Sequence, residues 1–126
     1  MEFLKDGPVA GPLIRGFSGT GFRVGETVFA RGVLLDPQQA VEWAAPDSVA
    51  GLEPGLIDGL FALYPVPEFL LLGTGAALVQ PPRAFLAAVE ARGIGVEAMD
   101  SRAAARAWGV LRQEERWIVA ALMPLG

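Results

Sequence analysis

Apolar residues in the second half of the chain alternate between continuous runs and helical spacing, which predicts strands and helices in turn. The run Phe69-Leu70-Leu71-Leu72, ended by Gly73, is typical of a strand that is buried on both faces. A helix opened by Pro82 and closed by Gly93 follows it, and residues 95–99 form the next predicted strand. A strand, a helix and a strand in this order predict a right-handed parallel βαβ crossover.

The C-terminal pattern predicts one more helix and a final hairpin. Asp100 or Ser101 is a suitable N-cap for a short alanine-rich helix that is expected to end at Gly109. Residues 110–112 and 116–123 are then expected to pair as a C-terminal hairpin. The last of these strands is apolar on both faces, so we expect it in the centre of the sheet.

The first half predicts short strands followed by one helix. Residues 16–21 are glycine-rich and predict a loop, whereas Gly25-Glu26 is typical of a hairpin turn. Strands are expected at residues 22–24, 27–29, 32–35 and 40–43, and together they predict a β-meander. Pro54 opens a helix that Pro65 ends. Its apolar face is expected to consist of Leu56, Ile57, Leu60, Phe61 and Tyr64.

Length and composition predict a single domain. The 126 residues are 52% hydrophobic and 19% charged, which supports a core without disulfides or metal. We expect one domain over residues 1–126, with residues 1–11 as a flexible N-terminus. The net charge of −4 disfavours binding to nucleic acid. The sequence shows neither a signal peptide nor a run able to span a bilayer, and no cysteine, so a cytoplasmic protein is expected.

The inventory of reactive side chains is small. The chain has no histidine and no cysteine, which excludes a Ser–His–Asp triad, a cysteine nucleophile and an ordinary zinc site. Lys5 is the only lysine, which disfavours a Walker-type or Schiff-base site. We therefore expect no catalytic residue, no metal and no cofactor. The enzyme alternative left open is carboxylate chemistry, with Asp100 or Glu97 as the base.

The predicted crossover places two polar segments at one edge of the sheet. The segments Gly73-Thr74-Gly75 and Asp100-Ser101 follow neighbouring parallel strands, where open α/β sheets bind ligands. The Thr74 hydroxyl, the N-terminus of the helix at Ser101 and the positive charge of Arg102 predict a candidate site for a small anion. The alternative is structural, because the glycines could merely turn the chain and Asp100 and Ser101 merely cap a helix. Dinucleotide binding is disfavoured because Leu78 stands where the third glycine of that motif would be.

The ordered motifs resemble those of the Mth938-like family, a domain of unknown function, over residues 12 to 124. The matching segments are 22–26, 32–34, Trp43, 69–75, Pro81-Pro82, 93–100 and 103–111. The resemblance implies a single-domain, three-layer α/β fold with a mixed sheet. It implies no established activity and no obligate cofactor, and one mitochondrial relative is an assembly factor for respiratory complex I. The family often has cysteine and tyrosine near the places of Ala105 and Trp108, so no thiol is essential here.

The sequence therefore leaves three interpretations of function, of which catalysis is the least favoured. The first is a non-catalytic protein-interaction or assembly-factor module with an unknown protein partner, and the resemblance extends this to assembly of a respiratory complex. The second is a protein that binds a small anionic ligand at Gly73, Thr74, Gly75, Asp100, Ser101 and Arg102. The residues leave homo-oligomerisation open, and they favour neither a membrane-spanning protein nor an enzyme.

Overall fold

The computed structural model describes residues 10–126, in which a five-stranded sheet lies at the centre of the fold. Most of the predicted flexible N-terminus, residues 1–9, lies outside the described part. The strands are β1 (Ile14–Ser18), β2 (Gly21–Val24), β3 (Thr27–Phe29), β4 (Val33–Leu35), β5 (Ala40–Glu42), β6 (Phe69–Gly73), β7 (Gly95–Met99) and β8 (Val119–Leu122). The α-helices are α1 (Arg83–Glu90) and α2 (Ser101–Gln113), and 3₁₀ segments span Val49–Gly51 and Pro54–Ala62.

The central sheet is mixed, with the order β5-β4-β8-β6-β7. Strand β6 is parallel to both β7 and β8, whereas β4 is antiparallel to β5 and β8. The predicted β6–α1–β7 unit is therefore present with parallel strands, and β8 is central, as its apolar sequence predicts.

Strand alternation divides the core into two layers, one on each face of this sheet. Leu70 and Leu72 of β6 point into the first layer, with α1 and the 3₁₀ segments, while Leu71 points into the second. The second layer is covered by α2 and by the small antiparallel sheet β1-β2-β3. The three-layer α/β fold expected from the sequence is thus confirmed, with Trp43 buried in the first layer and Trp108 in the second.

The N-terminal prediction is wrong in two respects. Residues 16–21 are not one loop: residues 16–18 belong to β1, Gly21 begins β2, and only residues 19–20 form the turn between them. The ring of Phe17 packs edge-on against Phe22 at 6.0 Å between centroids. The density of glycines conceals β1 in the sequence. The predicted meander is also divided, because β1 to β3 form their own sheet while β4 and β5 join the central one. The break occurs near Gly32, whose φ of +125° is unfavourable for other residues.

The helix predicted from Pro54 is a 3₁₀ segment, and only part of its apolar face is buried. It is interrupted at Ile57, whose φ and ψ are −131° and 20°. Ile57 and Leu60 are buried, whereas Leu56 and Tyr64 are exposed. Residues three apart align on a 3₁₀ helix, so the spacing of the two buried side chains suits this geometry better than an α-helix.

The C-terminal hairpin is absent from the described residues because α2 continues through Gly109 to Gln113. Trp108 and Arg112, one turn apart, are both buried, so the same helical face extends past the glycine. Residues 110–112 are therefore helical and do not pair with residues 116–123. Strand β8 instead lies between β4 and β6, where both of its faces are covered.

Candidate functional site

The two predicted polar segments lie side by side at the carboxyl ends of β6 and β7. The register pairs Gly73 with Met99. Beyond that pair, the Thr74 N–H donates to the Met99 carbonyl at 2.9 Å, and the Ser101 N–H donates to the Gly75 carbonyl at 2.8 Å. The position of these residues is therefore as the sequence predicts.

Ser101 is fully buried, and its hydroxyl joins three parts of the chain. Its Oγ accepts the Gly75 N–H at 2.9 Å and donates to the Met123 carbonyl at 2.7 Å. There is no room for a larger neighbour, because a Cβ at Gly73 would lie 2.7 Å from this Oγ. The hydroxyl thus connects the end of β6, the start of α2 and the segment after β8.

Thr74 is buried as well, and its hydroxyl organises the loop that follows β6. Thr74 Oγ1 donates to the Ala77 carbonyl at 2.7 Å and accepts the Val79 N–H at 3.1 Å. The Met99 carbonyl is a second acceptor at 3.2 Å. Because a hydroxyl has only one proton to donate, these internal contacts already occupy the proton of Thr74 Oγ1.

Asp100 and Arg102 complete the predicted set, and their contacts are also internal. The Asp100 carboxylate accepts the Ala103 N–H at 2.9 Å, which makes Asp100 the N-cap of α2. A carboxylate therefore occupies the helix N-terminus, where a bound anion would be stabilised. The guanidinium of Arg102 lies 5.1 Å above the ring of Phe17 on β1. Both features reduce the attraction that this edge offers to an anion.

A surface cavity of about 360 Å³ opens beside Thr74 and Gly75. The segment that follows Trp43 forms its opposite wall, and sequence reasoning did not connect that segment with the site. Among the described residues that line it, Asp47 alone has an ionisable side chain, so they bring no positive side chain to hold an anion. The lining consists of Pro46, Asp47, Ser48, Val49, Ala50, Thr74, Gly75, Ala76, Val79, Met123, Pro124 and Gly126.

Residues 76–80 form an exposed, charge-free loop above this cavity. Leu78 is 54% exposed and Val79 is 47% exposed, although both are large apolar side chains. The Thr74 hydroxyl bonds at Ala77 and Val79 fix the backbone of the loop. The signal in the sequence is the absence of any charged residue from 69 to 82, a run that sequence reasoning assessed only to exclude a membrane span.

Glu97 is exposed on β7 at the edge of the sheet. Within residues 10–126, no group of three or more acidic side chains could hold a metal ion. In the same part of the chain, no helix has the length and apolar character needed to cross a membrane.

One carboxylate has a clearly perturbed pKa, at the opposite end of β6. The Arg116 guanidinium donates two hydrogen bonds to Glu68 Oε1, at 3.0 and 2.7 Å, and the Trp117 N–H donates to Oε2 at 3.2 Å. These bonds, first from Arg116 and then from Trp117, lower the pKa of Glu68 below its ordinary value. The pair is exposed and connects the start of β6 to the segment before β8, so we interpret it as structural.

Comparison with known proteins gives one family and several relatives. The family model described as "Protein of unknown function (DUF498/DUF598)" matches residues 14–123. An uncharacterised protein of Rhodobacter capsulatus is 33% identical over 112 residues, which cover 89% of this chain and 84% of that protein. The protein named NADH dehydrogenase [ubiquinone] 1 alpha subcomplex assembly factor 3 in Danio rerio is 33% identical over 116 residues, covering 91% of this chain and 66% of that protein.

Solved structures of bacterial proteins have the same fold. A Xanthomonas campestris protein superimposes with a TM-score of 0.75 at 36% identity, covering 89% of this chain and 83% of its own. A Bordetella pertussis protein described as a Mth938-like domain gives a TM-score of 0.77 at 25% identity, with coverage of 91% and 87%.

Proposed function

The chain belongs to the DUF498/DUF598 family, whose fold is Mth938-like, and on this premise we propose that it is a non-catalytic protein-interaction module. Its similarity to a protein named as an assembly factor supports a role in bringing other proteins together. More specifically, we propose that it assists the assembly of a respiratory complex.

The observation that carries this proposal is the exposed loop of residues 76–80. Leu78 and Val79 project from a backbone that Thr74 holds in place, so little conformational entropy is lost when a partner covers them. Covering a half-exposed leucine removes about half of its apolar surface from water, which is worth about 1 kcal/mol, roughly a fivefold change in affinity. We therefore place the principal contact with a partner on this loop.

The test is affinity capture from native lysate that includes membranes in mild detergent, with Leu78→Ser compared with wild type. We expect a stoichiometric partner to bind wild type and to be lost with Leu78→Ser. The matched control is Leu56→Ser, which changes a 44% exposed leucine on the 3₁₀ segment. A partner that the Leu78 variant retains, or an equal loss with both variants, would contradict the loop assignment. Repeated failure to capture any stoichiometric partner would contradict the interaction role itself.

A second candidate function is binding of a small anionic ligand, for which the cavity beside Thr74 and Gly75 provides space but no positive side chain. The predicted site at Gly73 to Gly75 and Asp100 to Arg102 stays a prediction, and its hydroxyls would have to exchange internal hydrogen bonds for a ligand. A thermal-shift titration with inorganic phosphate tests it, because ligand at a hundred times its dissociation constant adds about 2.7 kcal/mol of stability. A shift that Thr74→Val abolishes would support this function, and an unchanged melting temperature in wild type would reject phosphate binding.

A further inference from the structure

Strand β7 forms one edge of the central sheet. Among the described residues it is the last strand of the central sheet, hydrogen-bonded to β6 alone. The Gly95 N–H donates to the Glu68 carbonyl and the Met99 carbonyl accepts the Thr74 N–H, so the backbones of residues 95 and 99 face β6. Backbone groups of a parallel strand alternate in direction from one residue to the next. The N–H and C=O groups of Val96 and Ala98 therefore point away from the sheet.

The edge formed by β7 is regular. Its five residues pair with β6 without a shift in register, and none of them is proline. The opposite edge of the sheet, β5, has only three residues, and its Glu42 carboxylate is bound to Arg31 with Nε and Oε2 3.6 Å apart. Short strands and engaged charges protect an edge against further pairing, so β7 is the better acceptor for another strand.

The exposed Glu97 determines which strand fits this edge. Its own backbone groups face β6, so a residue opposite it on an antiparallel partner forms a non-hydrogen-bonded pair, in which side chains approach most closely. A second copy of β7 that overlaps all five residues would place its Glu97 opposite this one. Like charges directly opposite each other are destabilising, whereas a lysine or arginine in that place is favourable.

We propose that β7 accepts, as an antiparallel sixth strand, an extended segment of a partner protein with a basic residue opposite Glu97. Both N–H and both C=O groups of Val96 and Ala98 bind the backbone of that segment, and Glu97 selects its charge. This inference rests on the interaction function proposed above. It concerns other residues than the Leu78 loop, so the assignment of the edge and the assignment of the loop are tested by different variants.

The test uses two blocked heptapeptides of alternating threonine and valine, one with a central lysine and one with a central glutamate. Amide resonances of ¹⁵N-labelled protein are followed by NMR during titration with each peptide. We expect Val96 and Ala98 to show the largest shifts and the lysine peptide to bind about fivefold more tightly than the glutamate peptide. Glu97→Lys should reverse this preference. Equal binding of both peptides, or unchanged Val96 and Ala98 resonances, would overturn the proposal.

Ala98→Pro separates edge pairing from nonspecific contact, because it removes an outward N–H without removing a bond to β6. The matched control is Ala40→Pro on β5. The Trp43 N–H donates to the Gly32 carbonyl, so the backbone groups of residue 43 face β4. Because backbone groups alternate in direction along a strand, those of residue 41 also face β4 and the Ala40 N–H points outward. We expect only Ala98→Pro to abolish peptide binding. Equal loss in both variants would overturn the proposal, and so would concentration-dependent dimerisation of wild type that Ala98→Pro removes, because it would assign the edge to a second copy.

Discussion

Replacing Ser101 by alanine tests whether its buried hydroxyl holds the carboxyl edge of the sheet together. The substitution removes the acceptor of the Gly75 N–H and the donor to the Met123 carbonyl, and it adds no atom that could clash. Both backbone groups would then remain in a buried environment without their partner. We expect Ser101→Ala to destabilise the fold rather than to affect only a surface activity.

The magnitude follows from the two groups left unpaired. Each buried donor or acceptor that loses its partner costs about 1–3 kcal/mol. The cavity beside Gly75 and Met123 can admit water, which places the expected loss toward the lower part of the combined range, at about 3 kcal/mol. For a domain of this size that corresponds to a fall in melting temperature of about 12 °C.

The assay is equilibrium unfolding in urea followed by tryptophan fluorescence, since Trp43 and Trp108 lie in the two core layers. The matched control is Ser48→Ala, because the Ser48 side chain is exposed and makes no cap hydrogen bond. We expect the control to change stability by less than about 0.5 kcal/mol. A Ser101→Ala loss below about 1 kcal/mol, or one equal to that of the control, would refute the structural role derived from these hydrogen bonds.

Three further outcomes test other parts of the fold. Gly109→Ala, in the interior of α2 with no atom within 4 Å of the added Cβ, should stabilise the protein by about 0.5–1 kcal/mol in the same urea assay. Gly73→Ala should lower the melting temperature strongly, because its Cβ would lie 3.0 Å from Ser101 Cα; a change as favourable as that of Gly109 would contradict this packing. Glu68→Gln tests the ion pair with Arg116. Because folding lowers the pKa of Glu68, the ionised carboxylate stabilises the fold at pH values above 4.5, the ordinary pKa of this group, and this stabilisation is lost as the pH falls through the lowered pKa. The stability difference between wild type and Glu68→Gln should therefore disappear in acid, and a difference that is constant between pH 7 and acid would contradict it.

Much of the central sheet can be predicted from local pattern. The apolar run of β6 and the apolar last strand both indicate burial on two faces, and the helix between β6 and β7 requires a parallel crossover. The same reasoning places Thr74 and Ser101 at a common edge, as observed. Prediction is weakest where glycine interrupts a pattern, as in β1 and at Gly109 in α2, because a glycine can turn the chain or simply lie within an element.

At the candidate site, too, part of the arrangement can be predicted from the sequence and part cannot. Residue types and spacing identify the edge and Asp100 as a helix cap, because capping depends on residues three positions apart. They do not reveal that the hydroxyls of Thr74 and Ser101 are already engaged. The partners of Ser101 lie 22 and 26 residues away, so only the packing of β6, α2 and β8 brings them within hydrogen-bond distance.

The sequence by itself therefore determines which residues prefer burial, which segments favour strand or helix, and which chemistry is excluded by the missing histidine and cysteine. The tertiary structure alone decides how the strands divide between two sheets, which strand lies at each edge of the central sheet, and which polar groups are engaged in internal hydrogen bonds. The physical reason is that periodicity defines an apolar face within one element, whereas the partner of that face is chosen by contacts distant in sequence.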